Sequence, residues 1–162
     1  KDTTKKYYTS LGRVVYGGGG IVPDVFVPLK DLNENEYYYN LLDKSILFDF
    51  AFDYTDNNRE ELLQKYPSIS DYIENFKVTW GMYDKIINMA DRAEIRFSQY
   101  QFNKAKPDIE ILVKAYIGRN LFDSKGFYYF YNKMDNDVKE ALDSFNYLDN
   151  NSNNSNNSNN PN

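Results

Sequence analysis

The stretch 107–122, PDIEILVKAYIGRNLF, decides the fold class. Ile109, Leu112, Val113, Tyr116, Ile117 and Leu121 recur at the three- and four-residue spacing that places side chains on one helix face. Pro107 suits the first turn of a helix, where its missing N–H would have no partner anyway. The spacing predicts a helix from Pro107 to Phe122, with its apolar stripe at the centre of a helical core.

Helical periodicity extends outward on both sides of this stripe. Ser98 reads as the cap of a shorter helix that is interrupted near Pro107. Thr79 reads as the N-cap of a helix from Trp80 to Ala93, with Met82, Ile86, Met89 or Ala90, and Ala93 facing inward. Ser68 or Ser70 caps a short helix from Asp71 to Phe76. A turn from Asn58 to Tyr66, either separate from the helix before it or its continuation, is stopped by Pro67. Before it, Glu34 to Asp53 reads as one helix, with Tyr37, Leu41, Lys44 or Ser45, Phe48 and Phe52 along a stripe that Leu42, Leu47 and Phe50 widen. After Phe122 come two further helices, Ser124 to Asn132 and Asp135 to Tyr147. Residues 149–162, DNNSNNSNNSNNPN, contain no apolar side chain to offset the entropy of ordering, so they read as a disordered tail.

The character changes near residue 30. Residues 11–28 read LGRVVYGGGGIVPDVFVP. Two runs rich in β-branched residues, 12–16 and 24–28, flank Gly17, Gly18, Gly19 and Gly20. Glycine tolerates positive φ and close backbone approach, so this run reads as the turn between paired strands. Tyr7 and Tyr8 read as entering a strand just before. The fold class expected is mainly α: a helical domain over residues 31–148, preceded by a short two-strand β segment within residues 1–30 and followed by the tail at 149–162.

Composition excludes several chemistries. The chain has 162 residues with no cysteine and no histidine. Disulfides, thiol catalysis, thiolate zinc sites, histidine metal sites and any Ser-His-Asp triad are therefore absent. Net charge is −5 and no basic run is present, which argues against nucleic acid as a partner. Tyrosine occurs 16 times, spread over every segment, which fits core packing and half-wet helix faces. The glycine run is no phosphate cradle. Gly20 is followed by Ile21 and Val22 rather than by lysine and a hydroxyl, and a strand, not a helix, follows. The acidic stretches Asp53–Asn58 and Asp135–Asp137 lack the glycine and terminal glutamate of a calcium loop. Ser10, Ser68, Ser70, Ser98 and Ser124 sit in cap or turn contexts. Ser124 and Lys125 are sequence neighbours, which gives no dyad geometry. No catalytic, cofactor-binding or metal-binding residue is expected within this chain.

Local physics ends there, but the string itself goes further. Gly12, Arg13, Tyr16, Gly17, Gly18, Gly19, Gly20, Ile21, Pro23, Asp24 and Val27 fall in register with a "GR-x-x-y-G-G-G-G-I-x-P-D-x-x-V" pattern. The pattern resembles the closing stretch of the core in bacterial carboxy-terminal processing, or tail-specific, serine peptidases. YTDNNREELLQKYPS and KAYIGRNLF resemble, more loosely, the helical extension that follows the core in a subset of them. The resemblance implies a parent endopeptidase of the periplasm or cell envelope that cleaves proteins near their C-termini. In that family a PDZ module captures the substrate tail, and a serine–lysine dyad upstream of this motif performs acyl transfer. The chain would then be a C-terminal region without its own dyad, inactive alone, with the upstream core and PDZ module as partners. Its helical domain would brace that core, gate it or self-associate. The alternative is a helical interaction module with no peptidase role.

Overall fold

The structure, a computed structural model, describes residues 5–10, 12, 14–17, 25–28 and 35–145. Asn35 starts the helical region by accepting a hydrogen bond from the Tyr38 amide at 3.0 Å. Its own side-chain amide donates to the Gln101 carbonyl at 2.7 Å, and the Gln101 side-chain oxygen accepts from the Tyr37 amide at 2.9 Å. The N-terminus of α1 (Glu36–Asp43) is thus tied to the first turn of α5 (Gln99–Tyr131).

The single helix expected over 34–53 is two. Ser45 adopts φ 57 and separates α1 from α2 (Ile46–Lys65). The break resets the helical phase, so Phe48 and Phe52 of the expected stripe are exposed. Ile46, Leu47, Phe50 and Ala51 face the core instead. The turn expected from Asn58 to Tyr66 joins α2 as its last part, after a kink at Asn58. Thr55, Asn57 and Asn58 each donate through their side chains to the carbonyl one turn back, at 2.7 Å. Such back-bonding competes with the helical ladder and bends helices. Tyr66, before Pro67, leaves the helical region at ψ 76, as a residue preceding proline does.

Ser68 caps α3 (Ile69–Asn75), two residues earlier than the expected start. The Asp71 amide donates to the Ser68 hydroxyl, and the Asp71 carboxylate accepts from the Ser68 amide at 3.1 Å. This reciprocal pair satisfies two orphan amides. Thr79 precedes α4 (Trp80–Arg92), whose Met82, Tyr83, Ile86 and Ala90 are buried, with Met89 and Ala93 half-buried.

The expected restart at Pro107 does not occur. Helix α5 continues through it. Pro107 and Asn103, whose carbonyl loses its helical donor, both lie on the exposed side, where water can satisfy that oxygen. The boundary expected between Phe122 and Ser124 is present: the helix breaks at Phe122 and Asp123, where Asp123 has φ 58 and ψ −154. There the chain folds back, and the limb over 124–131 returns against the limb over 99–121. A sixth helix, α6, covers 136–145. Its start is capped by Asp135, whose carboxylate accepts from the amides of Asp137 at 2.9 Å and Val138 at 3.2 Å.

The long limb of α5 is the core, as its stripe foretells. Ile109, Val113 and Ile117 are fully buried, Leu112 nearly so, and Tyr116 and Leu121 half-buried. Helices α1, α2 and α3 pack on it, and α4 packs on α2. Tyr72 of α3 lies inside a ring of aromatics, with Phe76 at 4.7 Å and Tyr66, Phe122 and Phe130 at 5.7 to 5.9 Å between centroids. Its hydroxyl donates to the Lys114 carbonyl at 2.9 Å.

Ahead of the helices, β1 (Lys6–Tyr8) pairs antiparallel with β2 (Val14–Tyr16), Tyr7 opposite Val15. The two-strand segment is therefore present, but its pairing differs from the one expected. Residues 14–16 of the run 12–16 pair upstream with 6–8, and residues 25–28, the described part of 24–28, form no strand. Gly12 at φ 77, with its amide donating to the Thr9 carbonyl at 2.9 Å, supplies the turn between β1 and β2, and Gly18 to Gly20 of the run expected to turn the chain lie outside the described residues.

Candidate functional site

The strand pair places its apolar side chains in water. All six residues of β1 and β2 are exposed, among them Tyr7, Tyr8, Val14, Val15 and Tyr16. Tyr8 is 69% exposed, and downstream Val25 and Phe26 are exposed too, Phe26 at 81%. Among the described residues both strands are exposed at every position, and a two-strand ribbon left uncovered is marginal in water. The arrangement is chemically suited to strand addition and burial against a further layer, not to bond-making.

Four residues of the glycine motif fall within the described structure, among them Val27, which is half-buried and outside any strand. Gly12 closes the turn, Tyr16 pairs with Lys6 in β2, and Gly17 ends β2 by donating its amide to the Lys5 carbonyl at 2.9 Å. The Tyr7 ring lies over Gly17 so closely that a Cβ there would overlap it. Arg13, Gly18, Gly19, Gly20, Ile21, Pro23 and Asp24 lie outside the described residues, as does the tail at 149–162. The serines weighed as nucleophiles take ordinary places. Ser68 and Ser98 cap α3 and α5, and Ser124 and Lys125 are both exposed on the returning limb of α5. Among the described residues no three or more of Asp, Glu, Cys and His gather as metal ligands.

Sequence reading missed two clefts. One, of about 590 Å³, opens where α1 meets the start of α5, between Glu36, Asn40, Arg96 and Gln101. Tyr37 lines it, with its ring edge-on to Phe97 at 5.8 Å and to Phe102 at 6.3 Å. The Tyr37 hydroxyl is buried without a hydrogen-bond partner, and burial pushes its pKa up to about 12. The second, of about 530 Å³, lies between α2 and α4. It has Lys85, Asn88 and Arg92 on one wall, and Asp53, Asn57 and Asn58 on the other. The signal for it was the spacing 85, 88, 92 on α4, which puts two cations and an amide on one face away from the apolar stripe.

Elsewhere on the surface, the Lys106 ammonium covers the exposed Trp80 ring at 3.8 Å. Beside it, the Tyr83 hydroxyl donates to Glu110 at 3.3 Å, and Glu110 pairs with Lys114 at 2.7 Å. Burial, then the Glu110 charge and hydrogen bond, raises the Tyr83 pKa. Among the described residues no helix is long and apolar enough to cross a membrane.

Residues 37–123 match the model of a family of unknown function, DUF8443. The match spans just over half of the chain, from α1 to the break in α5, so the chain belongs to that family. The strand pair and its glycine motif lie outside the matched segment. No curated protein and no solved structure matches the chain.

Proposed function

We propose that this chain is the C-terminal region of a serine endopeptidase that resembles the carboxy-terminal processing class. In this reading residues 6–28 complete the edge of a β core, and residues 36–145 form a helical appendage that braces or gates it. The carrying observation is the uncovered strand pair: six exposed strand residues, five of them Tyr or Val, followed by exposed Val25 and Phe26. Burying such side chains contributes about 1.5–3 kcal/mol each, which a further β layer would supply. The glycine motif supports the identity of that layer. The dyad and the PDZ module would belong to the parent polypeptide, which would act in the periplasm or cell envelope on the C-terminal tails of proteins.

The test is hydrolysis of an unstructured C-terminal tail peptide. The chain alone should show no turnover. The natural polypeptide that contains it should cleave the peptide and lose activity when its upstream serine is replaced by alanine. A natural polypeptide lacking a serine–lysine core upstream of the glycine motif would overturn the reading.

A second reading rests on a separate observation. The helical part buries its own core, with Leu41, Ile86, Ile109, Val113 and Ile117 fully enclosed. That is consistent with an autonomous helical interaction module carrying the strand pair as a docking ribbon. Activity of the long polypeptide separates the two.

A further inference from the structure

We infer that the cleft between α2 and α4 binds a small anion rich in hydroxyl groups, of the sugar phosphate class. The inference stands apart from the peptidase reading. The cleft holds about 530 Å³, within the range of small-molecule sites. Its α4 wall carries Lys85 and Arg92, two turns apart and so about 10 Å along the axis. Neither cation has an ion-pair partner among the described residues, and both side chains are exposed. The lining sets one carboxylate, Asp53, against these two cations, so the cleft is net positive in a chain of net charge −5. A guanidinium and an ammonium together suit a phosphate: the first as a planar fork, the second as a point charge.

The opposite wall asks for a different chemistry. Asn57 and Asn58 each spend an amide hydrogen on the backbone, at the carbonyls of Asp53 and Tyr54. That fixes both side chains while leaving their Oδ1 atoms as acceptors. The Asp53 carboxylate adds two more. These acceptors need donors. Inorganic phosphate offers few at neutral pH, whereas the hydroxyls of a sugar offer several. The kink at Asn58 lies in this wall. Phe50 and Tyr54, stacked at 5.7 Å, line the cleft too, and the half-buried Tyr54 ring offers apolar surface to the carbon face of a sugar ring. Cations at one wall, acceptors at the other and an aromatic ring beside them select a ligand with an anionic end and a hydroxylated body.

The test is NMR titration of the whole chain with glucose 6-phosphate, glucose and inorganic phosphate. Glucose 6-phosphate should saturate with a Kd below about 1 mM, shifting amides near residues 53–58 and 85–92. Glucose and inorganic phosphate should each bind at least about tenfold more weakly. The double variant Lys85→Ala, Arg92→Ala should lose about tenfold or more in affinity for glucose 6-phosphate. Asp53→Ala should weaken glucose 6-phosphate while leaving inorganic phosphate unchanged. All three side chains are exposed, so the variants should melt like the parent. The inference is overturned by no saturation up to about 10 mM, by equal binding of glucose or inorganic phosphate, or by unchanged affinity in the double variant.

Discussion

Gly118 and Gly126 meet backbone to backbone across the break in α5. A Cβ built on Gly118 would lie 2.8 Å from the Gly126 carbonyl oxygen, and one built on Gly126 would overlap the Gly118 carbonyl. Eight residues of straight helix would hold these positions about 12 Å apart. The contact therefore exists only because Asp123, at φ 58, turns the chain back on itself. It lets the returning limb deliver Phe130 to the Tyr72 ring at 5.8 Å.

The first prediction follows from that contact. Gly126→Ala should destabilise the chain by about 1–3 kcal/mol, because the intruding methyl meets backbone, which cannot rotate away. Gly81→Ala is the control. A Cβ there meets nothing nearer than 3.9 Å, so the change should be neutral or slightly stabilising in a helix. Denaturant melts of both variants check the contrast. Equal midpoints would mean that the limbs do not close.

The second concerns the central stripe. Leu112 is 4% exposed between Ile109 and Val113, both fully buried. Leu112→Ala should cost about 2–5 kcal/mol by leaving a cavity. Lys114 does not lie on a free outer face as a simple wheel implies. It is half-buried and paired with Glu110 one turn back. Lys114→Ala should still cost only about 0.5–1 kcal/mol, the scale of a partly screened helical ion pair. Similar losses for the two variants would contradict the assignment of the core.

The third concerns two tyrosine hydroxyls. The Tyr37 hydroxyl is buried without a partner, whereas that of Tyr72 donates to Lys114. Tyr37→Phe should stabilise the chain by about 1 kcal/mol, since a desolvated polar group is removed. Tyr72→Phe should destabilise it by a similar amount, about 1 kcal/mol. Melts that move in the same direction for both would refute the pairing.

The fourth concerns alkaline pH. Burial raises the Tyr37 pKa to about 12, and burial raises those of Tyr38 and Tyr72 as well. In the unfolded chain these phenols ionise near pH 10. Above about pH 10 the folded form therefore holds more protons than the unfolded one. Stability is whole below that pH and falls as pH rises from about 10 through about 12. Melts across this window, with phenolate absorbance followed in parallel, test the sign. Stability that stays level from about pH 9 to about pH 11.5 would contradict it.

The helical part was legible where burial is one-sided. The stripe from Ile109 to Leu121 and the caps at Ser68, Thr79 and Ser98 carry their signals locally. The break at Asp123 was legible as well: the stripe ends at Leu121, a new helix was expected from Ser124, and the helical path is interrupted at Phe122 and Asp123. Pro107 misled. A proline on the wet side of a long helix orphans a carbonyl that water can serve, so the helix survives it. In the strand region the run of four glycines drew attention to a pairing with 24–28, while the pairing described is with 6–8 through a turn at Gly12. Register depends on which partner is near, and that information is not local. The cleft beside Asn58 escaped notice because its walls come from α2 and α4 and meet only in the fold.

The central claim is that the strand pair is the edge of a larger β core. Amide hydrogen exchange over residues 6–16 tests it most directly, measured in this chain and in the natural polypeptide that contains it. The account predicts near-unprotected strand amides in the chain alone, beside protected amides in α5, and strong protection of the same strand amides in the longer polypeptide. Strand amides equally protected in both, or unprotected in both, would contradict it.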